Sequence, residues 1–359
     1  MIRRLLLLNG LAALGVATYH AAAYGFSAMF EWTDRYRSVM VPNYDQIGSF
    51  SYYLLLAIRQ LDAFVIPAFI FVSGFFVAIT AAGSQSKKNW QVVTARIKTL
   101  LFPFILWTGL RYILLGRLPT SVSDVLMPYY FIVLVFQFYL LSPIIAPLAK
   151  THWKLLILIS AIVQMIVEGL FFIGALGVET PLLVQIKDLF PLWFFPRRIF
   201  WFVLGIVAST YRESLTMWLA RVKWQLLTAV ILLGTLTMVE YEFYARLVGE
   251  EWLGPSFRGI SSPLYALSFI LCFLAFDDVS LPFSKQISDI GSKSLGIYLA
   301  NIPVIYIVAV ILYKAFPWTL GNQLVYQTVL VVVGIVIPLL LMNLASKTPV
   351  RKVYRYIYG

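Results

Sequence analysis

"LLLLNGLAALGVATYHAAAYG", residues 5–25, carries no formal charge, and its two most polar members are Asn9 and His20. An apolar run of about 20 residues is what an α-helix needs to cross the hydrocarbon of a bilayer. The Arg3-Arg4 start resembles the basic end of a leader, but no convincing small-x-small cleavage site follows. The run therefore reads as a retained membrane span. The chain has only two histidines, and one of them stands inside this helix, where it must be desolvated.

The same pattern recurs along all 359 residues. Ten apolar runs are long enough to be candidate spans, at roughly 5–25, 60–82, 97–115, 127–147, 154–175, 192–210, 219–239, 261–277, 294–313 and 321–345. Only 12% of residues are charged, against about 25% in a soluble domain, so the chain cannot cover itself with a water-compatible surface. The expected fold is all-α, a polytopic membrane protein of about ten helices, with residues 1–359 forming one membrane domain. The run 192–210 is the weakest span, because "FPLWFFPRRIFWFVLGIVAS" holds two prolines and Arg197-Arg198. Pro67, Pro103, Pro143, Pro303 and Pro338 should kink or interrupt other spans.

Lys and Arg set the orientation. With ten spans, 17 of them fall on the side of the termini and 11 on the other, so both termini are expected in the cytoplasm of a cell whose inner or plasma membrane holds the protein. The same bias accounts for the net charge of +12 through anionic lipid, without a nucleic-acid partner. Cys272 is the only cysteine, which excludes an intramolecular disulfide; two histidines and one cysteine also cannot build a zinc site. No phosphate-binding glycine loop of the P-loop type is present.

Three regions carry candidate chemistry. His20 lies about 22 Å along the helix from Leu5, in the outer third of a core about 30 Å thick. Burial favours the neutral imidazole, the form that accepts a proton; a histidine that ties two helices together would look the same in sequence. The extracytoplasmic segment 26–59 holds "FEWTDRYRSVMVPNYDQIGSFSYY". Its Trp32, Asp34, Arg35 and Asp45 are the mixture of rings and hydrogen-bonding groups that a sugar face requires, and equally that of an interfacial aromatic belt. Arg197 and Arg198 join this acceptor-side set. On the opposite side Lys87, Lys88, Arg96 and Lys98 concentrate four cations at the start of the third span. Such a cluster suits the phosphates of a ligand, and positive-inside bias explains it without one.

Read together, several segments resemble, in order, the acyltransferase 3 family of integral membrane acyltransferases, which usually have ten core spans. "NGLAALGVATYH" (9–20) is similar to its first-span motif ending in histidine, and "FVIPAFIFVSGFFVA" (64–78) to its second span, with Ser73-Gly74 in place. "ARIKTLLFPFILW" (95–107) resembles the basic opening of the third span, and "FQFYLLSPII" (136–145), with Tyr139, the Tyr-Leu-Leu-x-Pro element of the fourth. "IGSKSLGIYLANIPV" (290–304) resembles the late element that usually ends in His-x-Pro, and the tail "KTPVRKVYRYIYG" (347–359) is also typical.

The resemblance implies transfer of an acyl group, usually acetyl, from cytoplasmic acyl-CoA to a hydroxyl of an extracytoplasmic acceptor, commonly a glycan or a lipid-linked sugar. No metal is implied. His20 would be the general base, with Asn9, Ser73, Tyr139, Tyr298 and Asn301 as orienting groups and Arg96 and Lys98 on the coenzyme phosphates. Three positions depart from the pattern. The family's first-span arginine is Asn9 here, its late histidine is Asn301, and the acidic residue before the fourth-span tyrosine is Gln137. Asn9 still shares a face with His20, since eleven residues leave only about 20° of offset. The departures fit a branch with another acyl donor, or one that no longer catalyses. A transporter or flippase for a polar or acylated saccharide, with His20 as a proton relay, is the competing reading. A coenzyme seated at Arg96 and Lys98 with its thiol towards His20 separates the first from the second.

Overall fold

In the computed structural model, residues 1–81, 86–127, 129–254 and 256–359 are described; at 81, 86–89, 91 and 92 only the backbone is. The described chain is helical throughout, with no strand. The helices are α1 (Ile2–Phe26), α2 (Phe50–Leu61), α3 (Val65–Ala81), α4 (Ser86–Leu115), α5 (Val122–Leu126), α6 (Tyr130–Thr151), α7 (Trp153–Ala175) and α8 (Pro181–Asp188). They continue with α9 (Ile199–Thr210), α10 (Arg212–Val248), α11 (Ser261–Ala275), α12 (Ser284–Ser292), α13 (Ser294–Ala315), α14 (Gln323–Lys347) and α15 (Tyr354–Tyr358).

Each of the ten apolar runs contains a helix, and among the described residues eight helical segments are long and apolar enough to cross a membrane. The other two, α9 and α11, have 12 and 15 residues, which is about 18 and 22 Å, short of the hydrocarbon thickness. For α9 the cause is visible: Pro191, Pro196 and the two arginines leave residues 189–198 as turns. Non-helical backbone at membrane depth survives only where protein or a polar cavity satisfies it. Here Gln137 does so, its Oε1 accepting from the Phe195 amide at 3.2 Å and its Nε2 donating to the Trp193 carbonyl at 2.5 Å.

The prolines act less uniformly than expected. Helices run on through Pro103, Pro143, Pro303 and Pro338. Pro67 falls in the first turn of α3, where its missing N–H costs nothing, and the break lies just before it, in the tight turn Asp62–Phe64.

One boundary needs correction. The segment 26–59 was expected outside the membrane, but α1 continues as a wide helical turn over Ser27–Glu31, and α2 begins at Phe50. Residues 50–80 form one apolar helical unit. Arg59 and Gln60 in this stretch are buried, at 2% and 1% exposure: Arg59 donates to the Tyr19 carbonyl and to Ser256 Oγ, and Gln60 Nε2 to the Phe257 carbonyl.

Helix α1 is the hub. Its apolar window is 61% buried, against 11% for α10 at the periphery, and α2, α3, α11, α12, α13 and α14 all pack on it. Small residues permit this, since close backbone approach is what packs helices where hydrophobicity gives no preference. A Cβ on Gly10 would stand 1.9 Å from the Ile287 carbonyl oxygen, and one on Gly291 2.1 Å from that of Leu6. The Ser73-Gly74 pair has the same kind of role: a Cβ on Gly74 would meet the Phe202 carbonyl at 2.3 Å, and one on Gly205 that of Phe71 at 2.1 Å, so α3 and α9 touch backbone to backbone.

Candidate active site

His20 and Asn301 meet in the interior. The His20 Nδ1 is 2.9 Å from the Asn301 Oδ1. An amide oxygen only accepts, so Nδ1 carries the proton and donates, which leaves Nε2 with the lone pair. Asn301 is fully buried on α13, and its Nδ2 has no hydrogen-bond partner among the described residues. His20 itself is half-buried. The pair is thus a base with a fixed tautomer beside a buried N–H donor.

Around it lies a dense polar layer. Tyr19 packs edge-on to His20, with ring centroids 5.9 Å apart, and the Arg59 guanidinium stacks on Tyr19 at 3.4 Å from its centroid. Arg59 also donates to the Tyr19 carbonyl at 2.9 Å and to Ser256 Oγ at 3.2 Å. Arg258, from the 249–260 loop, sits 5.6 Å from the same ring and donates to the Arg59 carbonyl at 2.6 Å. Asp62 accepts from Thr18 Oγ1 at 2.8 Å. Glu168 on α7 pairs with Arg197 at 3.1 Å and Arg198 at 2.6 Å. Glu240 on α10 accepts from the Ser261 amide at 2.9 Å and from its hydroxyl, so it caps the first turn of α11.

The expected site residues separate into three levels. His20, Asn301, Arg197 and Arg198 belong to this layer or border it. Asn9 does not: its Nδ2 donates to the Gly291 carbonyl at 2.9 Å and to Ser294 Oγ at 2.8 Å, about 16 Å down α1 from His20, where it ties α1 to the α12–α13 corner. Tyr139 lies about 13 Å down α6 from Tyr130, within charge range of Arg96, so it belongs to the opposite end. Ser73 lies about 12 Å down α3 from Val65, the residue that packs on Gly15.

At that opposite end Arg96 and Lys98 are exposed on α4, and Arg355 from the tail donates to Thr99 at 3.0 Å, which brings the basic tail to the same face. The side chains of Lys87 and Lys88 lie outside the described residues.

Above the polar layer, the 32–49 loop divides the remaining candidates. Trp32 packs on Tyr313 with centroids 5.0 Å apart, and Arg35 lies 4.9 Å over the Tyr313 ring; Asp34 is exposed. Asp45 pairs with Arg37 at 2.5 Å, and Arg37 holds its carboxyl below the usual aspartate value. Asp45 also lines a groove of about 620 Å³ with Pro42, Asn43, Tyr44, Ile47 and Glu251. Among the described residues no three His, Cys, Asp or Glu converge as a metal centre would need.

Arg258 has no counterpart among the residues singled out in the sequence. Arg258 reads there as one more loop cation, and nothing local shows that its loop descends onto Tyr19.

An all-α bundle of apolar helices is what the acyltransferase 3 resemblance implies, and the family comparison bears on that resemblance. The family model, described as an acyltransferase domain, matches residues 3–343. The chain belongs to the acyltransferase 3 family. The match covers nearly the whole chain, from the first turn of α1 into the last turns of α14, so His20, Asn301 and the arginines of the polar layer lie within it. The protein is an integral membrane acyltransferase by family. Neither the curated proteins nor the solved structures gave a match.

Proposed function

We propose that this acyltransferase moves a short acyl group, acetyl in the simplest case, from cytoplasmic acyl-CoA to a hydroxyl of an extracytoplasmic carbohydrate or lipid-linked glycan. It does so in the cytoplasmic membrane, with both termini in the cytoplasm. The observation that carries the reading is the buried His20–Asn301 pair. With Nδ1–H held by Asn301, Nε2 is the proton acceptor, as in other nucleophile–base–orienter arrangements.

In the step, the acceptor hydroxyl gives its proton to His20 Nε2 as its oxygen attacks the thioester carbonyl carbon. The carbonyl oxygen becomes an oxyanion, for which the unpartnered Asn301 Nδ2 is a donor. Collapse breaks the C–S bond, and the departing thiolate takes the proton back from the imidazolium. Asn301 therefore does the orienting work of the histidine usual at its position, without itself being a base.

The donor arrives from the basic end. Arg96 and Lys98, with Lys87 and Lys88, hold the coenzyme phosphates, and the pantetheine arm runs up past Ser73 and Tyr139. The level of Tyr139 is about 13 Å below that of Tyr130, a gap suited to an extended arm. The acceptor docks on the other face, on the loop carrying Trp32, Asp34, Arg35 and Asp45.

Mass spectrometry of envelope glycans from cells with and without the protein tests this. Loss of one acyl mass from a defined sugar on deletion, restored by the wild-type chain, supports the proposal. Identical glycans and glycolipids in both strains would sink it.

A further inference from the structure

We infer that the arginine layer beside His20 binds a phosphate group, and that the acceptor carries it. The inference deepens the acyl-transfer reading by naming the acceptor's class: a glycan on a phosphate- or diphosphate-linked lipid, rather than a neutral sugar.

Four guanidinium groups lie in this layer: Arg59 and Arg258 over the Tyr19 ring, and Arg197 and Arg198 on Glu168. Arg198 and Arg258 lie within charge range of both Tyr19 and Tyr130, and of each other. Two acids balance them, Asp62 and Glu168. The third nearby acid, Glu240, is turned to the first turn of α11. Positive charge is thus in excess at membrane depth, where an arginine stays ionised and an uncompensated charge is costly.

The excess is concentrated on two side chains. Glu168 pairs with both Arg197 and Arg198, so one carboxylate serves two cations. Arg258 donates to the carbonyls of Phe257 and Arg59 and makes no ion pair within 4.0 Å among the described residues. Arg198 and Arg258 are also the half-buried members of the set, whereas Arg59 and Arg197 are 2% and 7% exposed. Two like charges within range of one another, both on half-buried side chains, can clamp an anion between them. Guanidinium geometry matches phosphate oxygens in pairs.

The position in the chain selects the source. Tyr19 and His20 are neighbours, so a phosphate on this layer lies close to the base. In acyl-CoA the whole pantetheine arm separates the diphosphate from the thioester. A coenzyme seated here would place its acyl carbon far from Nε2. A phosphate joined to the first sugar of a lipid-linked glycan lies only a few bonds from a sugar hydroxyl, which suits an oxygen that must reach His20.

The test uses the purified full-length chain in lipid nanodiscs, with farnesyl diphosphate, farnesol and coenzyme A as probes, and the variants Arg198→Gln and Arg258→Gln. Farnesyl diphosphate should bind, farnesol much more weakly, and each variant should lose about 10-fold or more in affinity for the diphosphate, the scale of one charge-assisted bond. Coenzyme A binding should stay at the wild-type level. If a glutamine variant does not fold, Arg258→Lys keeps the charge but loses the fork, and should fall between the two.

Wild-type diphosphate affinity in folded variants would overturn the site. So would farnesol binding as tightly as its diphosphate. Loss of coenzyme A binding with diphosphate binding intact would overturn the assignment to the acceptor. Because binding is read without turnover, failure here leaves the acyl-transfer reading standing. Failure of the glycan experiment would leave the phosphate site standing and remove only its assignment to an acyl acceptor, since that assignment rests on the acyl-transfer reading.

Discussion

Replacing Asn301 by alanine separates the two tasks given to that residue. The side chain is fully buried and meets His20 Nδ1 at 2.9 Å. Its removal leaves the Nδ1–H donor unpaired, a cost of about 1–3 kcal/mol for a buried group, and so releases the imidazole to its other tautomer. It also removes Nδ2, whose loss as an oxyanion donor costs about 10²–10³ in kcat. Folding should change little, because Nδ2 is itself an unpartnered buried donor and its removal offsets part of the lost bond. Asn301→Asp keeps an acceptor for Nδ1 but replaces the N–H donor with a carboxylate, so it should retain the tautomer and show an oxyanion deficit at least as large, since the new charge repels the oxyanion. The assay is transfer of a labelled acetyl group from acetyl-CoA to a lipid-linked acceptor in nanodiscs, with kcat and KM resolved. Both variants should fall in kcat with little change in KM for the donor. Wild-type kcat in folded Asn301→Ala would refute the role of the pair.

Three further outcomes follow from the geometry. Gly205→Ala places a Cβ 2.1 Å from the Phe71 carbonyl oxygen, so α3 and α9 must part, and thermal unfolding in detergent should show a loss of about 1–3 kcal/mol; Gly109→Ala, with nothing within 4 Å, should not destabilise. Arg37 lowers the Asp45 pKa below its ordinary 3.8, so the pair's contribution is whole above that value and fades as pH falls through the lowered one. With the pH dependence of intrinsic exchange divided out, protection at residues 37–45 should therefore be lower at a pH below the lowered value than near pH 6, and Asp45→Asn should remove the difference; equal protection at both pH values in the wild type would contradict it. Changing Arg96 and Lys98 together to alanine should weaken coenzyme A binding about 10-fold or more, while affinity for farnesyl diphosphate is kept. Unchanged coenzyme affinity would place the donor site elsewhere.

Much of the helical architecture was legible because hydropathy and length act locally. All ten apolar runs contain a helix, and the one with two prolines and two arginines was the one that shortened most. The stretch 50–59 was misread for the opposite reason. Nothing local shows that Arg59 is buried; its partners, the Tyr19 carbonyl and Ser256, lie 40 and 197 residues away and make that burial tolerable. The site divides in the same way. His20 and Asn301 were each conspicuous in sequence, as a histidine in an apolar span and an asparagine where a histidine is usual. Their pairing spans 281 residues and follows only from how α13 packs on α1. Asn9 shares its face with His20 as the 100° step requires, but its partners, Gly291 and Ser294, come from the other end of the chain. Arg258 gave no local signal at all.

The most direct measurement on the central claim is acyl transfer by His20→Gln. Glutamine keeps a hydrogen-bonding side chain in the same helix but cannot take the proton. If His20 is the base, the folded, membrane-inserted variant should lose roughly 10²–10⁴-fold in transfer rate, with coenzyme A and farnesyl diphosphate binding retained. Wild-type transfer by the purified glutamine variant would make His20 a tie between α1 and α13, and would contradict the mechanism built on it.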